Sequence, residues 1–92
     1  MIDAEALEQD ILTYIARELL DGRGAGLDRD TPLLEWGVLD SLSMMELIDH
    51  VHRTFRVEVP GDRVTAEHFK DVRAIVRMVL ALAAGEGAAA RP

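Results

Sequence analysis

Apolar residues recur at the spacing of one helix face in three separate stretches of the chain. From Asp3 to Asp21, Leu7, Ile11, Tyr14, Ile15 and Leu19 fall at helical intervals, with Glu5, Glu8, Asp10, Arg17 and Glu18 between them. The spacing predicts an amphipathic helix. Asp3 is placed to cap its start, and Gly22, Gly24 and Gly26 to stop it. A second stripe, Met44, Ile48, Val51 and Phe55, predicts a helix from Ser41 to about Phe55, with Asp40 as N-cap. Leu47 widens that stripe, and Leu42 and Met45 fall off its centre. A third, Val72, Ile75, Val76, Val79 and Leu80, follows a capping Asp71. Between the second and third lie an extended link at Val57, Val59 and Pro60, a turn at Gly61-Asp62, and a brief helical turn through Phe69 that Thr65 is placed to cap. Nothing alternates long enough for a sheet. The pattern predicts an all-α fold, a small bundle of three main helices plus one short helix. The folded domain is expected over residues 1–82, and a flexible tail over 83–92.

The connection from residue 22 to residue 40 is long for a compact domain. Connections of that length are uncommon and often functional. It begins with three glycines in five residues. It ends with Leu33, Leu34, Trp36, Val38 and Leu39, enough apolar surface to make a packed, structured loop between the first and second helices. Trp36 is read as its anchor. Pro32 biases Thr31 away from helical backbone.

Composition narrows the chemistry. The 92 residues suit one domain and leave no room for a deep cleft with its own supporting shell. There is no cysteine, which removes disulfides, thiolate metal sites and thiol nucleophiles. The formal net charge of −7 opposes nucleic-acid binding, which needs a basic face, and steers basic partners. Neither a signal peptide nor a membrane-length apolar run is visible. A discrete soluble, cytoplasmic monomer is expected.

The candidate chemistry lies at Asp40-Ser41. A serine in the first turn of a helix stands beside unsatisfied N–H donors and the positive end of the helix dipole. A phosphate ester on Ser41 would sit where an anion is favoured. Asp40 adds negative charge beside it, a cost that makes sense if a modifying enzyme uses the carboxylate to help hold a metal ion. On the dipeptide alone, an ordinary capping pair explains these residues as well, and Ser43 is also a possible cap.

The stretch Asp30 to Ile48 resembles the core of acyl and peptidyl carrier proteins. The family's Asp-Ser-Leu signature matches Asp40, Ser41 and Leu42, and its preceding glycine matches Gly37. Its Glu-Leu matches Glu46-Leu47, and its Phe-x-Val-x-Ile/Val-Pro matches Phe55 to Pro60. A later Phe and hydrophobic helix match Phe69 and Val72–Leu80. The resemblance covers about residues 3 to 82. It implies a 4'-phosphopantetheine arm, moved from coenzyme A to Ser41 by a phosphopantetheinyl transferase with magnesium. The arm would bear acyl or aminoacyl cargo as thioesters, with Asp40 and Leu42 beside it. The carrier itself would be non-catalytic and bind no resident metal. Leu42 is assigned to partner contact, Met45 to partner contact or core packing, and Met44 to the core. Partners would be an acyl- or aminoacyl-loading enzyme and downstream synthase or tailoring enzymes.

One departure matters. Carriers of fatty-acid synthesis have a strongly acidic second helix. Here His50, His52 and Arg53 lie among Glu46 and Asp49, and the histidines read as a solvated face. This favours specialised metabolite biosynthesis, polyketide or nonribosomal peptide, over a housekeeping fatty-acid carrier. An unmodified helical interaction module would have no need of Ser41. A serine hydrolase would need a nucleophile elbow that the sequence lacks.

Overall fold

The computed structural model describes residues 2–22 and 26–85. Four α-helices follow in order: α1 (Ala4–Tyr14), α2 (Ser41–Phe55), α3 (Ala66–Phe69) and α4 (Val72–Ala83). Among the described residues there is no strand. Each predicted cap is in place. The carboxylates of Asp3, Asp40 and Asp71 and the hydroxyl of Thr65 accept from backbone N–H groups in the first turns of α1, α2, α4 and α3 respectively. α1 does not run on unchanged to Asp21. At Ile15–Leu19 it widens into a π-helical turn, with Leu20 N–H donating to the Ile15 carbonyl at 3.0 Å. The chain then leaves through left-handed backbone at Asp21 and Gly22. Gly24 and most of the expected tail lie outside the described residues.

α1 packs on α4, and α3 packs on the start of α4. Leu7, Ile11 and Ile15 from α1, Phe69 from α3 and Val72, Ile75 and Val79 from α4 fill the core. α2 closes it with Leu47 and Val51. The predicted stripe on α2 was therefore centred slightly wrong. Leu47 lies at the middle of the buried face, while Met44, Ile48 and Phe55 are half-buried at its margins. On α4 the buried face extends to Met78, and Leu80 lies at its edge.

The loop before α2 is stitched from both sides. Within it, Asp28 forms an Asx turn: its carboxylate accepts from Asp30 N–H at 2.8 Å and from the Thr31 hydroxyl at 3.3 Å, and Thr31 Oγ1 accepts from Asp28 N–H at 2.9 Å. Thr31 is thereby buried with its hydroxyl satisfied. Across the fold, Leu33 N–H donates to the Lys70 carbonyl at 2.8 Å and Arg73 N–H to the Arg29 carbonyl at 3.0 Å. Arg73 also forks onto the Asp30 carboxylate at 2.9 and 3.2 Å. That hydrogen bond, with the charge behind it, holds the Asp30 carboxyl below the usual aspartate range. Leu33 and Leu39 are buried. Trp36 is not the anchor: it is 66% exposed, and the two leucines fix the loop in its place.

Leu47 is 0% exposed and Met45, two positions before it, is 55% exposed. Leu47→Ala is expected to cost about 2–5 kcal/mol, the range for a fully buried leucine. Met45→Ala should stay within about 0.5 kcal/mol. Thermal and urea unfolding followed by circular dichroism reads both. Comparable losses at the two positions would contradict the burial pattern.

Candidate functional site

The site is built where the stitched loop turns into α2. Gly37 makes that turn possible. Its φ is +76°, a left-handed conformation that costs a residue with a Cβ about 1–2 kcal/mol. Its N–H donates to the Leu34 carbonyl at 3.2 Å, and Leu39 N–H then donates to the Leu33 carbonyl at 3.0 Å. This delivers Asp40 in extended backbone at the helix start.

Asp40 and Ser43 form a reciprocal capping box. Ser43 N–H donates to Asp40 Oδ1 at 2.9 Å, and Asp40 N–H donates to Ser43 Oγ at 2.8 Å. The Ser43 hydroxyl donates back to Asp40 Oδ1 at 2.9 Å. Asp40, not Ser43, is therefore the cap, and Ser43 is its partner one turn into the helix. The backbone and hydroxyl hydrogen bonds from Ser43 hold the Asp40 carboxyl below its ordinary value, so it is ionised at neutral pH.

Ser41 is the first residue of α2 and is exposed. Its hydroxyl takes no part in the capping box. The two serines thus divide the work: Ser43 is spent on the cap, and Ser41 is left facing solvent. Three large apolar side chains within five residues of it in sequence are exposed. Leu42 is 71% exposed, Met45 55% and Trp36 66%. Sequence reasoning placed Leu42 here, left Met45 undecided, and missed Trp36. The signal for Trp36 was available: a loop already holding Leu33, Leu34, Val38 and Leu39 has no need of a further anchor.

The charged face of α2 also differs from expectation. His50 is not simply solvated. Its Nε2 lies 2.6 Å from Asp10 Oδ2 on α1, and its ring stacks on Tyr14 with centroids 4.2 Å apart. Burial, with the nearby Glu46 and Glu18 carboxylates, raises the Tyr14 phenol above its ordinary value. Arg53 pairs with Asp49 at 2.9 Å one turn earlier on the same helix. The charges of α2 are largely consumed by one another and by α1. Among the described residues, no group of three or more His, Asp or Glu side chains is placed to hold a metal ion. Among the same residues, no helix is long and apolar enough to cross a membrane.

Residues 9–79 match the family model described as a phosphopantetheine attachment site. The chain belongs to that family. It is a carrier protein with a covalently attached phosphopantetheine group, of a kind that works with a phosphopantetheinyl transferase and acyl-handling enzymes. The carrier is 33% identical over 78 residues to "Probable acyl carrier protein PigG" of Serratia sp. (strain ATCC 39006), covering 85% of this chain and 90% of that one. It is also similar to a chain in a crystal structure described as that of an FAD-dependent dehydrogenase. The TM-score is 0.73 and the identity 38%, over 76% of this chain and 99% of that one. The all-helical bundle and the carrier role expected from the sequence both stand.

The depressed Asp40 value fixes a pH dependence. A carboxyl that binds its proton less readily when folded contributes stability above the unfolded value, about 3.9. That contribution is lost as pH falls through the lower folded value. The melting-temperature gap between the wild type and Asp40→Ala should therefore be full near neutral pH and narrow below about pH 3.9. Melts recorded between about pH 7 and pH 2 test this. A gap of constant size would show that ionised Asp40 adds nothing to the cap.

Proposed function

We propose that Ser41 is the attachment site of the phosphopantetheine arm, and that Leu42, Met45 and Trp36 form the face read by partner enzymes. The observation that carries the assignment is the capping box. It occupies the neighbouring hydroxyl of Ser43 and leaves that of Ser41 exposed at the helix N-terminus. Residues of this site suit the group. The first turn of a fifteen-residue helix favours an attached phosphodiester through its dipole and free N–H groups. Asp40 is held in one orientation and ionised, next to the hydroxyl, where a transferase and its magnesium would approach. When attached, the arm supplies the thiol that holds acyl or aminoacyl cargo as a thioester. The chain's own part is to present the arm, keep the loop still beneath it and offer an apolar surface. It performs no catalysis itself.

Specialised metabolite biosynthesis is the reading supported by α2. With Arg53 paired to Asp49 and His50 to Asp10, that helix offers little free charge for the charge-led docking of an acidic fatty-acid carrier. Its exposed leucine and methionine, with Trp36, suit an apolar contact with dedicated partners. A cytoplasmic monomer that meets them by diffusion fits this role.

A second observation favours one class of partner. The similar chain from the FAD-dependent dehydrogenase structure is no longer than the folded part of this carrier, since 99% of it is covered. That association supports a flavin-dependent oxidoreductase among the tailoring enzymes, acting on the arm-bound cargo.

Incubation of the apo protein with coenzyme A, magnesium and a promiscuous phosphopantetheinyl transferase should add one arm by intact mass. Ser41→Ala should abolish the gain and Ser43→Ala should keep it. A folded wild type that gains nothing, or a Ser41→Ala protein that still does, would sink the assignment. For the partner face, Trp36→Ala and Leu42→Ala should each lower kcat/KM of the loading enzyme by about tenfold or more, the scale of a buried anchor residue. Their melting temperatures should be unchanged. These losses should persist at high salt, because the contacts are apolar.

A further inference from the structure

Four of the ten Lys and Arg residues of this acidic chain fall between residues 63 and 77. Past Asp62, the carboxylates of the described residues thin to Glu67 and Asp71, while Arg63, Lys70, Arg73 and Arg77 follow one another. Two of these six charges are already used. Asp71 caps α4 through Ala74 N–H at 2.8 Å. Arg73 is drawn away to Asp30 on the loop. The remaining cations, Arg63, Lys70 and Arg77, line an open groove of about 400 Å³ beside α3 and α4. Its floor is apolar: Ala74, Met78 and Ala81, at i, i+4 and i+7 on α4. Arg63 meets only Asp62, at 3.4 Å, and that carboxylate is itself 74% exposed. Among the described residues, Lys70 and Arg77 make no ion pair. One carboxylate, Glu67, and His68 complete the lining of the groove.

We propose that this groove docks an acidic segment of a partner enzyme, one in which carboxylates alternate with small apolar side chains. Charge complementarity carries the choice of occupant. Three cations come from three successive parts of the chain: the turn before α3, the residue that ends α3, and the middle of α4. The groove they line is open and shares its lining with the apolar Ala74, Met78 and Ala81, which suits a peptide better than a single phosphate. An extended peptide meets all three while its apolar side chains rest on Ala74 and Ala81. Nucleic acid would bring a long run of phosphates against a chain of net charge −7, which repels it.

The groove shares no residue with Ser41, Leu42, Met45 or Trp36. It is therefore a second contact, independent of the arm. A partner tethered there keeps the Ser41 face free, and the tether raises the local concentration of the arm at that partner's active site.

The experiment uses the holo carrier and a fluorescein-labelled peptide of alternating Glu and Ala, read by fluorescence anisotropy at low salt. Saturable binding is expected. The double charge reversal Lys70→Glu/Arg77→Glu should weaken it by about tenfold or more, the scale of losing two exposed ion pairs and adding repulsion. Leu42→Ala should leave it unchanged, and raised salt should abolish it. Circular dichroism confirms that the reversal variant is folded. The proposal is overturned if the peptide does not bind, if the reversal binds it equally, or if an oligonucleotide of like charge binds as tightly. It is likewise overturned if sedimentation shows that self-association of the carrier produces the anisotropy signal. None of these outcomes touches the Ser41 assignment, which the mass gain tests separately.

Discussion

The part of the loop that leads into α2, from Asp28 onward, takes its place from one interaction, its seam with the α3–α4 junction. Two backbone hydrogen bonds, Leu33 N–H to Lys70 and Arg73 N–H to Arg29, join segments far apart in sequence. The Arg73–Asp30 fork lies beside them. The side chains of that fork are 49% and 62% exposed, so the ion pair is worth little by itself. The backbone bonds matter more, because they flank Leu33, which is buried in the core. The seam converts a connection that would otherwise wander into a fixed platform. Everything at the start of α2 inherits its position from that platform.

The capping box then does two jobs with one set of atoms. It satisfies the Ser43 N–H, one of the donors at the helix end that would otherwise be unpaired. It also removes the Ser43 hydroxyl from competition with that of Ser41. A helix start with two serines within three residues would otherwise present two similar nucleophilic oxygens to a modifying enzyme. Here one is locked at 2.8 and 2.9 Å from Asp40 and the other is free. If Ser41 carries the arm, as proposed, this geometry favours its hydroxyl over that of Ser43 before any partner arrives. The same bonds lower the Asp40 carboxyl below its ordinary value, so a negative charge stands beside the free hydroxyl at neutral pH.

What the sequence could disclose follows the range of the physics involved. The four caps were legible because an Asp or Thr side chain reaches a backbone N–H two or three residues on, and that geometry needs no tertiary information. Helix positions were legible because apolar spacing reflects burial. The centre of the α2 stripe was not. Met44, Ile48 and Phe55 are as apolar as Leu47, and only the placement of α1 and α4 decides which of them lies deepest. The π-helical turn at Ile15–Leu19 leaves no mark in spacing over so short a run. His50 was misread because its partners, Asp10 and Tyr14, lie about forty residues away and only the fold brings them together. Trp36 was misread because size and hydrophobicity predict burial on average, while this loop had already filled its core positions with Leu33 and Leu39. The signature around Ser41 was legible as a pattern; the reason that Ser41 and not Ser43 is available needed the structure.

Charge is distributed so that different surfaces can act under different rules. The carboxylates lie mainly before residue 63, where they keep the chain soluble and repel polyanions. On α2, Arg53 is paired with Asp49 and His50 lies against Asp10, and on the proposed reading the apolar residues near Ser41 set affinity there. An apolar face of three exposed side chains is small, well under the area of a durable protein interface. For a carrier that is an advantage, because it must leave each enzyme once the cargo has reacted, and a weak short-range contact permits fast release. The α3–α4 groove is the opposite case: among the described residues Lys70 and Arg77 make no ion pair there, and charge acts over a longer range than apolar contact. Electrostatic contacts accelerate encounter more than they prolong it. On the two proposals together, the carrier would be gathered by charge on one side and sorted by apolar fit on the other, so that neither surface would have to bind tightly for the arm to reach the correct active site.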